Sequence, residues 1–128
     1  MKLAYVSGPY SATSEWERYQ NIHRMAEVAH RLWRMGIAAI CPDCNTAHFG
    51  HDDIPYARFL DGDKIMIERS DLIVMIPGWD RSYGASTELA HARITKVPVY
   101  YWPQDLDKLA SIAQEAPGRE RTPTTSAA

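Results

Sequence analysis

The stretch DLIVMIPGWDRSYGASTELAHA, residues 71–92, contains a strand, a turn and a helix in succession. Its first six residues are almost wholly apolar, which is typical of a strand buried on both faces. A Pro-Gly pair ends that strand. A helix is predicted over about residues 84–95, and Ser82 could cap its start. A buried strand that leads into a helix indicates an α/β fold.

The same alternation of strand and helix recurs along the chain. Ser14 and Glu17 have the spacing of a capping box, so a helix is expected to begin near residue 14. Apolar side chains then recur every three or four residues until Gly36, which is suited to end the helix. The predicted strands are residues 3–6, 37–41, 71–76 and 97–102, the further predicted helices cover about residues 56–70, 84–95 and 104–115, and residues 42–55 are predicted to be a long loop.

This order of elements predicts the architecture. Strands that are apolar on both faces and alternate with helices indicate a parallel sheet covered on both sides. We therefore expect a three-layer α/β/α flavodoxin-like sandwich with four or five parallel strands, formed by residues 1–115. Residues 116–128 are rich in Pro, Thr, Ser and Ala, and we expect them to be a disordered tail.

The composition argues against several classes of protein. The 128 residues suffice for one domain. Because the formal net charge is -2 and no basic stripe is present, we expect no binding to a nucleic-acid polymer. No apolar stretch reaches the roughly 18 residues that span a bilayer, so no membrane contact is expected. No signal peptide precedes the first strand, which predicts a cytoplasmic protein.

Three predicted turns should meet at one edge of the sheet. In parallel sheets, ligands bind beyond the carboxyl ends of the strands. The turns at that edge are residues 7–11, the segment after Cys41, and residues 77–84. The sequence therefore predicts a binding site built from these segments.

Glu88 is the first candidate for chemistry at this edge. It is predicted to lie in the first turns of a helix, where the helix dipole would keep its carboxylate ionised. Such a carboxylate can attack the anomeric carbon of a sugar. Alternatively, Glu88 only complements the helix dipole.

Several motifs occur in a fixed order along the chain. Tyr-Val-Ser-Gly-Pro ends the first strand, Asn21 lies in the first helix, an Asp precedes SDLIV, and Trp-x2-Ser-x-Gly-Ala-x2-Glu follows it. This order, over about residues 2–102, resembles the nucleoside 2-deoxyribosyltransferase-like superfamily, especially its short members. It is also similar to the N-glycosidases that cleave nucleoside 5'-monophosphates.

The resemblance implies roles for three residues. Glu88 matches the nucleophile that attacks C1' of the sugar and forms a glycosyl–enzyme ester. Tyr5 matches a tyrosine that orients this carboxylate, and Asp63 matches the carboxyl group that handles the nucleobase or protonates its leaving nitrogen. The resemblance also implies a homodimer whose partner subunit completes the site, and no cofactor.

General chemistry supports this division of roles. A leaving base needs a proton, so one carboxyl group must be protonated while the other is charged. Asp63 lies within a predicted helix, without help from the helix dipole, and is the better candidate for the acid. The alternatives are that Asp63 lies on a solvated helix face and that Tyr5 is a core tyrosine.

A second group of residues is predicted to bind substrate. By resemblance, Ser7, Gly8 and Ser82 hold a 5'-phosphate in the monophosphate-cleaving branch, and Arg18 or Arg81 could assist. Trp79 could stack on a base or simply pack against the next helix. The full set of predicted substrate-binding residues is Ser7, Gly8, Pro9, Ser11, Trp79, Ser82 and Gly84.

The segment CPDCNTAHFGH, residues 41–51, offers competing chemistry. Cys41, Cys44, His48 and His51 are zinc-type ligands, but the gap between the Cys pair and the His pair is shorter than in zinc fingers. A redox dithiol is disfavoured, because such a C-x2-C pair normally starts a helix and this one is predicted in a loop. We expect no metal, with the histidines lining the mouth of the pocket or exposed.

The sequence thus favours cleavage of the N-glycosidic bond in a nucleoside or deoxynucleoside 5'-monophosphate, by hydrolysis or base transfer. A nucleoside 2-deoxyribosyltransferase acting on free nucleosides remains an alternative. So does a protein that binds or senses a nucleotide without cleaving it. The base, and the choice between ribose and deoxyribose, stay open.

Overall fold

The computed structural model describes residues 1–49 and 53–115. The predicted disordered tail, residues 116–128, and the candidate ligand His51 lie outside the described residues. Within the described ranges, no helix is both long and apolar enough to cross a bilayer.

Strands and helices alternate along the described chain. A 3-10 turn at Trp79–Arg81 follows the third strand. The elements are β1 (Leu3–Ser7), α1 (Glu15–Met35), β2 (Ala38–Ile40), α2 (Pro42–Thr46), α3 (Tyr56–Arg69), β3 (Leu72–Met75), α4 (Tyr83–Ile94), β4 (Val99–Tyr101) and α5 (Leu106–Gln114).

The predicted helix caps are confirmed. The Ser14 hydroxyl accepts a hydrogen bond from the Glu17 backbone N–H at 3.1 Å, which starts α1. Gly36 ends α1 with φ 99°, a left-handed conformation that favours glycine. At the start of α4, the Ser82 hydroxyl accepts from the Ala85 backbone N–H at 3.2 Å. These local signals fix where both helices begin.

The four described strands form one all-parallel sheet in the order β2-β1-β3-β4. With helices on both faces, this is the predicted three-layer flavodoxin-like architecture. The chain leaves β1 toward β2 on one side and leaves β3 toward β4 on the other. The switch point between β1 and β3 is where α/β sheets bind ligands.

Alternation along β1 separates the two halves of the core. Ala4 and Val6 pack in the cluster formed with α1 and α5. Tyr5 packs in the cluster formed with α3 and α4, and the Ser7 side chain reaches α4. Because side chains alternate along a strand, Tyr5 and Ser7 share the face that α4 covers.

The prediction of one long loop over residues 42–55 is wrong at its start. Residues Pro42–Thr46 form the short helix α2, with Cys41 as its N-cap and Pro42 in its first turn. Proline is favoured there because the first helical N–H needs no partner within the helix. Cys41 and Asp43 are therefore held on regular backbone at the carboxyl edge of the sheet.

Candidate active site

A cavity of about 530 Å³ lies at the carboxyl edge of the sheet, beside the switch point. Its walls come from the segments after β1, β2 and β3, as expected, together with parts of α1, α3 and α4. Its volume is within the roughly 300–1,000 Å³ of small-molecule sites. The predicted site residues that line it are Gly8, Pro9, Ser11, Asp63, Ser82, Gly84 and Glu88.

Glu88 lies at the base of this cavity and is only 6% exposed. The Tyr5 hydroxyl donates a hydrogen bond to its Oε2 atom. The Ser7 Oγ atom, which is fully buried, donates to Oε1 at 2.7 Å. Two donors from one face of β1 thus hold both oxygens of the carboxylate, which fixes its orientation.

The helix dipole is not what favours the ionised form of Glu88, contrary to the prediction. The dipole acts mainly within the first turn of a helix, and Glu88, the sixth residue of α4, lies beyond that turn. Burial raises its pKa, and the hydrogen bonds from Tyr5, Ser7 and Asp63 oppose that rise. The hydroxyl donors, rather than the dipole, favour the ionised carboxylate.

Tyr5 itself stays protonated. Burial raises the pKa of its hydroxyl well above the ordinary value, and the neighbouring Glu88 charge raises it further. The phenol therefore remains a hydrogen-bond donor to Glu88 at every physiological pH.

Asp63 differs from Glu88 in its proton affinity. Burial raises the pKa of Asp63 to about 8, with further contributions from the Glu88 charge and from a side-chain hydrogen bond to Glu88. That same hydrogen bond lowers the pKa of Glu88. The contact between the two groups thus favours the proton on Asp63 and the charge on Glu88, which is the order expected of an acid and a nucleophile.

Asp43 is a third carboxyl group of the cavity, and it was not predicted. It lies in α2 and lines the cavity with Asp63 and Glu88. Burial raises its pKa to about 7, and the Glu88 charge contributes. The position of Asp43 just after β2 indicates that it lies at the edge of the sheet where ligands bind. The direction of its side chain depends on α2, a helix that the sequence pattern did not predict.

Two arginines line the cavity near its mouth. Arg81 was predicted to help bind a phosphate, and it lies with Ser11 and Ser82 in the cavity wall. Arg24 of α1 lies there too and was not predicted. Arg18, which was the other predicted arginine, instead pairs with the exposed Glu15 in the first turn of α1.

Two glycines allow the turns to approach each other at the switch point. A Cβ on Gly8 would lie 2.3 Å from Ile76 Cγ1, so a side chain does not fit there. Gly78 has φ 94°, and a Cβ on it would lie 2.8 Å from Pro9 Cγ. Glycine is required at both positions for close packing, and Gly8 also lines the cavity.

Two predicted substrate-binding residues lie outside the cavity lining. Ser7 instead holds Glu88. Trp79 packs against Tyr101, with ring centroids 5.7 Å apart. Of the two roles expected for Trp79, base stacking and packing within the protein, the structure shows the packing. Tyr56 and Phe59 of α3 do line the cavity and offer aromatic surfaces to a base.

The Cys-His segment is only partly described. Cys41 and Cys44 are free thiols at the start of α2, and His48 is exposed and lies outside the cavity lining. Over residues 1–49 and 53–115, there is no group of three or more His, Cys, Asp or Glu side chains that could hold a metal ion.

Comparisons with known proteins identify the family. A search of curated proteins gave no match. Residues 2–101, which include β1 to β4 and all the carboxyl groups described above, match the family described as a domain of unknown function, DUF4406. The chain therefore belongs to the DUF4406 family.

Proposed function

We propose that this protein cleaves the N-glycosidic bond of a nucleoside or deoxynucleoside 5'-monophosphate, with Glu88 as the nucleophile. The observation that carries the proposal is the pairing of Glu88 with Asp63 at the switch-point cavity. Tyr5 and Ser7 hold Glu88, and Asp63 has a pKa of about 8. One ionised and one protonated carboxyl group are what this reaction needs.

The first step is displacement of the base. Glu88 attacks C1' of the sugar while the C1'–N bond breaks, and the bond electrons leave with the base. Asp63 donates its proton to the base nitrogen. The products are a glycosyl ester on Glu88, a neutral base and an ionised Asp63. Tyr5 and Ser7 keep the attacking oxygen oriented, which favours a near-attack geometry.

The second step resolves the ester. Asp63, now ionised, takes a proton from water or from the nitrogen of a second base. The activated acceptor attacks C1' and frees Glu88. Water gives the sugar phosphate, and a second base gives a new nucleotide. Hydrolysis and base transfer thus share the first step and differ in the acceptor.

The phosphate is the feature that favours a nucleotide over a free nucleoside. Arg24 and Arg81 bring two positive charges to the wall of a cavity whose base holds carboxyl groups. Ser11 and Ser82 add hydroxyl groups to the same cavity lining. Charge-assisted donors of this kind suit a phosphate. A phosphate held there would orient C1' toward Glu88, so remote binding energy would serve the reaction.

We also propose that the active form is a homodimer. Trp16, Tyr19 and His23 stack along α1, with ring centroids 5.8 and 6.2 Å apart, and both Trp16 and Tyr19 are more than half exposed. Exposed aromatic residues are enriched at protein interfaces. Sedimentation of the wild type and of Trp16→Ala tests this, and a wild-type monomer would contradict it.

The test of function is incubation with a panel of nucleoside 5'-monophosphates and the matching free nucleosides, followed by chromatography for released base. We expect release from at least one monophosphate, with kcat/KM about tenfold or more above that of its nucleoside. Glu115→Gln, at an exposed position after α5, is the matched control for Glu88→Gln. Faster cleavage of the free nucleoside would favour a transferase, and binding without release would favour a nucleotide sensor.

A further inference from the structure

Cys41 and Cys44 form a close pair of thiols beside the cavity. Their Sγ atoms are 2.7 Å apart. The spacing is fixed by the backbone, because the N–H groups of Cys44 and Asn45 both donate to the Cys41 carbonyl, at 3.0 and 3.1 Å. The pair therefore lies within one turn, at a separation from which a disulfide can form.

The C-x2-C pair starts a helix, as redox dithiols normally do, and does not lie in the predicted loop. Cys41 is the N-cap of α2 and Cys44 lies inside that helix. Neither residue is used by the proposed glycosidase chemistry. In the part of the chain that the structure describes, the two thiols also belong to no metal-binding cluster.

The two thiols are not equivalent. The contact between the two Sγ atoms lowers the pKa of Cys44 and raises the pKa of Cys41. The thiolate is the reactive form of cysteine. Cys44 is thus the better attacking group, and Cys41 is the better resolving group.

The pair is connected to the cavity through α2, the helix that carries both thiols and Asp43. Asp43 and Thr46 of α2 both line the cavity. The thiols pack on the other side of α2, against the core cluster of α1. A bond between Cys41 and Cys44 would restrain the turn that carries Asp43.

We infer that Cys41 and Cys44 form a reversible dithiol–disulfide pair that tightens α2 and so controls the position of Asp43 at the cavity. The oxidant is a low-molecular-weight disulfide. The Cys44 thiolate attacks one sulfur of that disulfide and releases one thiolate. Cys41 gives up its proton and attacks Cys44 Sγ, which releases the second thiolate. Two electrons pass from the protein to the oxidant, which leaves as two thiols.

The test uses oxidised glutathione as the probe and the full chain as it exists. After incubation, acid quenching and alkylation, mass spectrometry of the wild type should show loss of two hydrogens and no alkylated cysteine. Dithiothreitol should restore both thiols. Cys41→Ser should instead retain one glutathione on Cys44, because it lacks the resolving thiol. Two stable glutathione adducts, or two thiols that remain alkylatable, would overturn the inference.

Hydrogen exchange tests the link to Asp43 and needs no substrate. Amide exchange in a peptide covering residues 42–46 should slow at least about threefold in the oxidised protein and return after reduction. Exchange in a peptide from α5 should not change. Equal exchange of α2 in both states would refute control of Asp43. Because neither readout measures base release, failure here is distinct from failure of the proposed function.

Discussion

Replacing Asp43 with Asn should make the protein more stable at alkaline pH, even though it changes a residue of the proposed site. Burial and the Glu88 charge raise the pKa of Asp43 from its ordinary 3.8 to about 7. Folding therefore favours the protonated carboxyl group. The contribution of Asp43 to the free energy of unfolding is therefore fully present below pH about 4, and it is lost as the pH rises through about 7.

The magnitude follows from the same two values. At about 1.4 kcal/mol for each pH unit, the rise from 3.8 to about 7 corresponds to about 4 kcal/mol lost between acidic and alkaline pH. Asparagine is neutral at every pH and does not incur this loss. We expect Asp43→Asn to match the wild type at pH 4 and to exceed its free energy of unfolding at pH 8. The gain should be at least about 1 kcal/mol, with about 4 kcal/mol as the upper limit.

The assay is urea unfolding of both proteins at pH 4, 6 and 8, with the free energy of unfolding extrapolated to water. Asp61→Asn is the matched control, because Asp61 is an exposed aspartate of α3 that does not line the cavity. That variant should follow the wild type at every pH. A variant of Asp43 that is less stable than the wild type at pH 8, or a difference that does not grow with pH, would refute the electrostatic account of the cavity.

Four further predictions concern other residues. Glu88→Gln should lower kcat by about three orders of magnitude with an unchanged fold, because the covalent route is lost; activity within about tenfold of the wild type would contradict this. The wild type should show a fall in kcat/KM above pH about 8, where Asp63 loses its proton, and Asp63→Asn should be slow and should lack that fall; an unchanged alkaline limb in the pH profile of the variant would assign the acid elsewhere. Arg24→Ala should raise KM for a nucleoside 5'-monophosphate about tenfold, whereas Arg18→Ala should not, since Arg18 pairs with exposed Glu15; steady-state kinetics that show equal effects would remove Arg24 from the phosphate site. Gly8→Ala should cost about 1–3 kcal/mol in thermal or urea unfolding because of the clash with Ile76, whereas Gly62→Ala, with open space in α3, should not destabilise; equal stability of the two variants would show that the turn adapts.

Local patterns were sufficient to predict most of the fold. Apolar runs marked the strands, and the hydroxyls of Ser14 and Ser82 marked two helix starts that the structure confirms. The helix α2 was missed because it has only five residues and follows a strand directly, so it carries no periodicity. Its Pro42 is typical of a loop, although proline is also favoured in a first helical turn.

The candidate site was predictable only in part. Tyr5 and Glu88 meet because β1 alternates and α4 covers one of its faces, which strand and helix patterns anticipate. The sequence could not show which of Arg18 and Arg24 reaches the cavity, since both belong to α1. The pairing of Arg18 with Glu15 is a matter of side-chain conformation. The direction of Trp79 likewise depends on packing against Tyr101, far along the chain.

The most direct test of the central claim is detection of the sugar phosphate on Glu88. A nucleotide that releases its base in the panel assay is incubated briefly with the enzyme, quenched in acid, digested and analysed by mass spectrometry. The account predicts a peptide from α4 whose mass is increased by the sugar phosphate, with the increment on Glu88 and absent from Glu88→Gln. Base release by the wild type and by Glu88→Gln at equal rates, with no modified peptide in either, would contradict it.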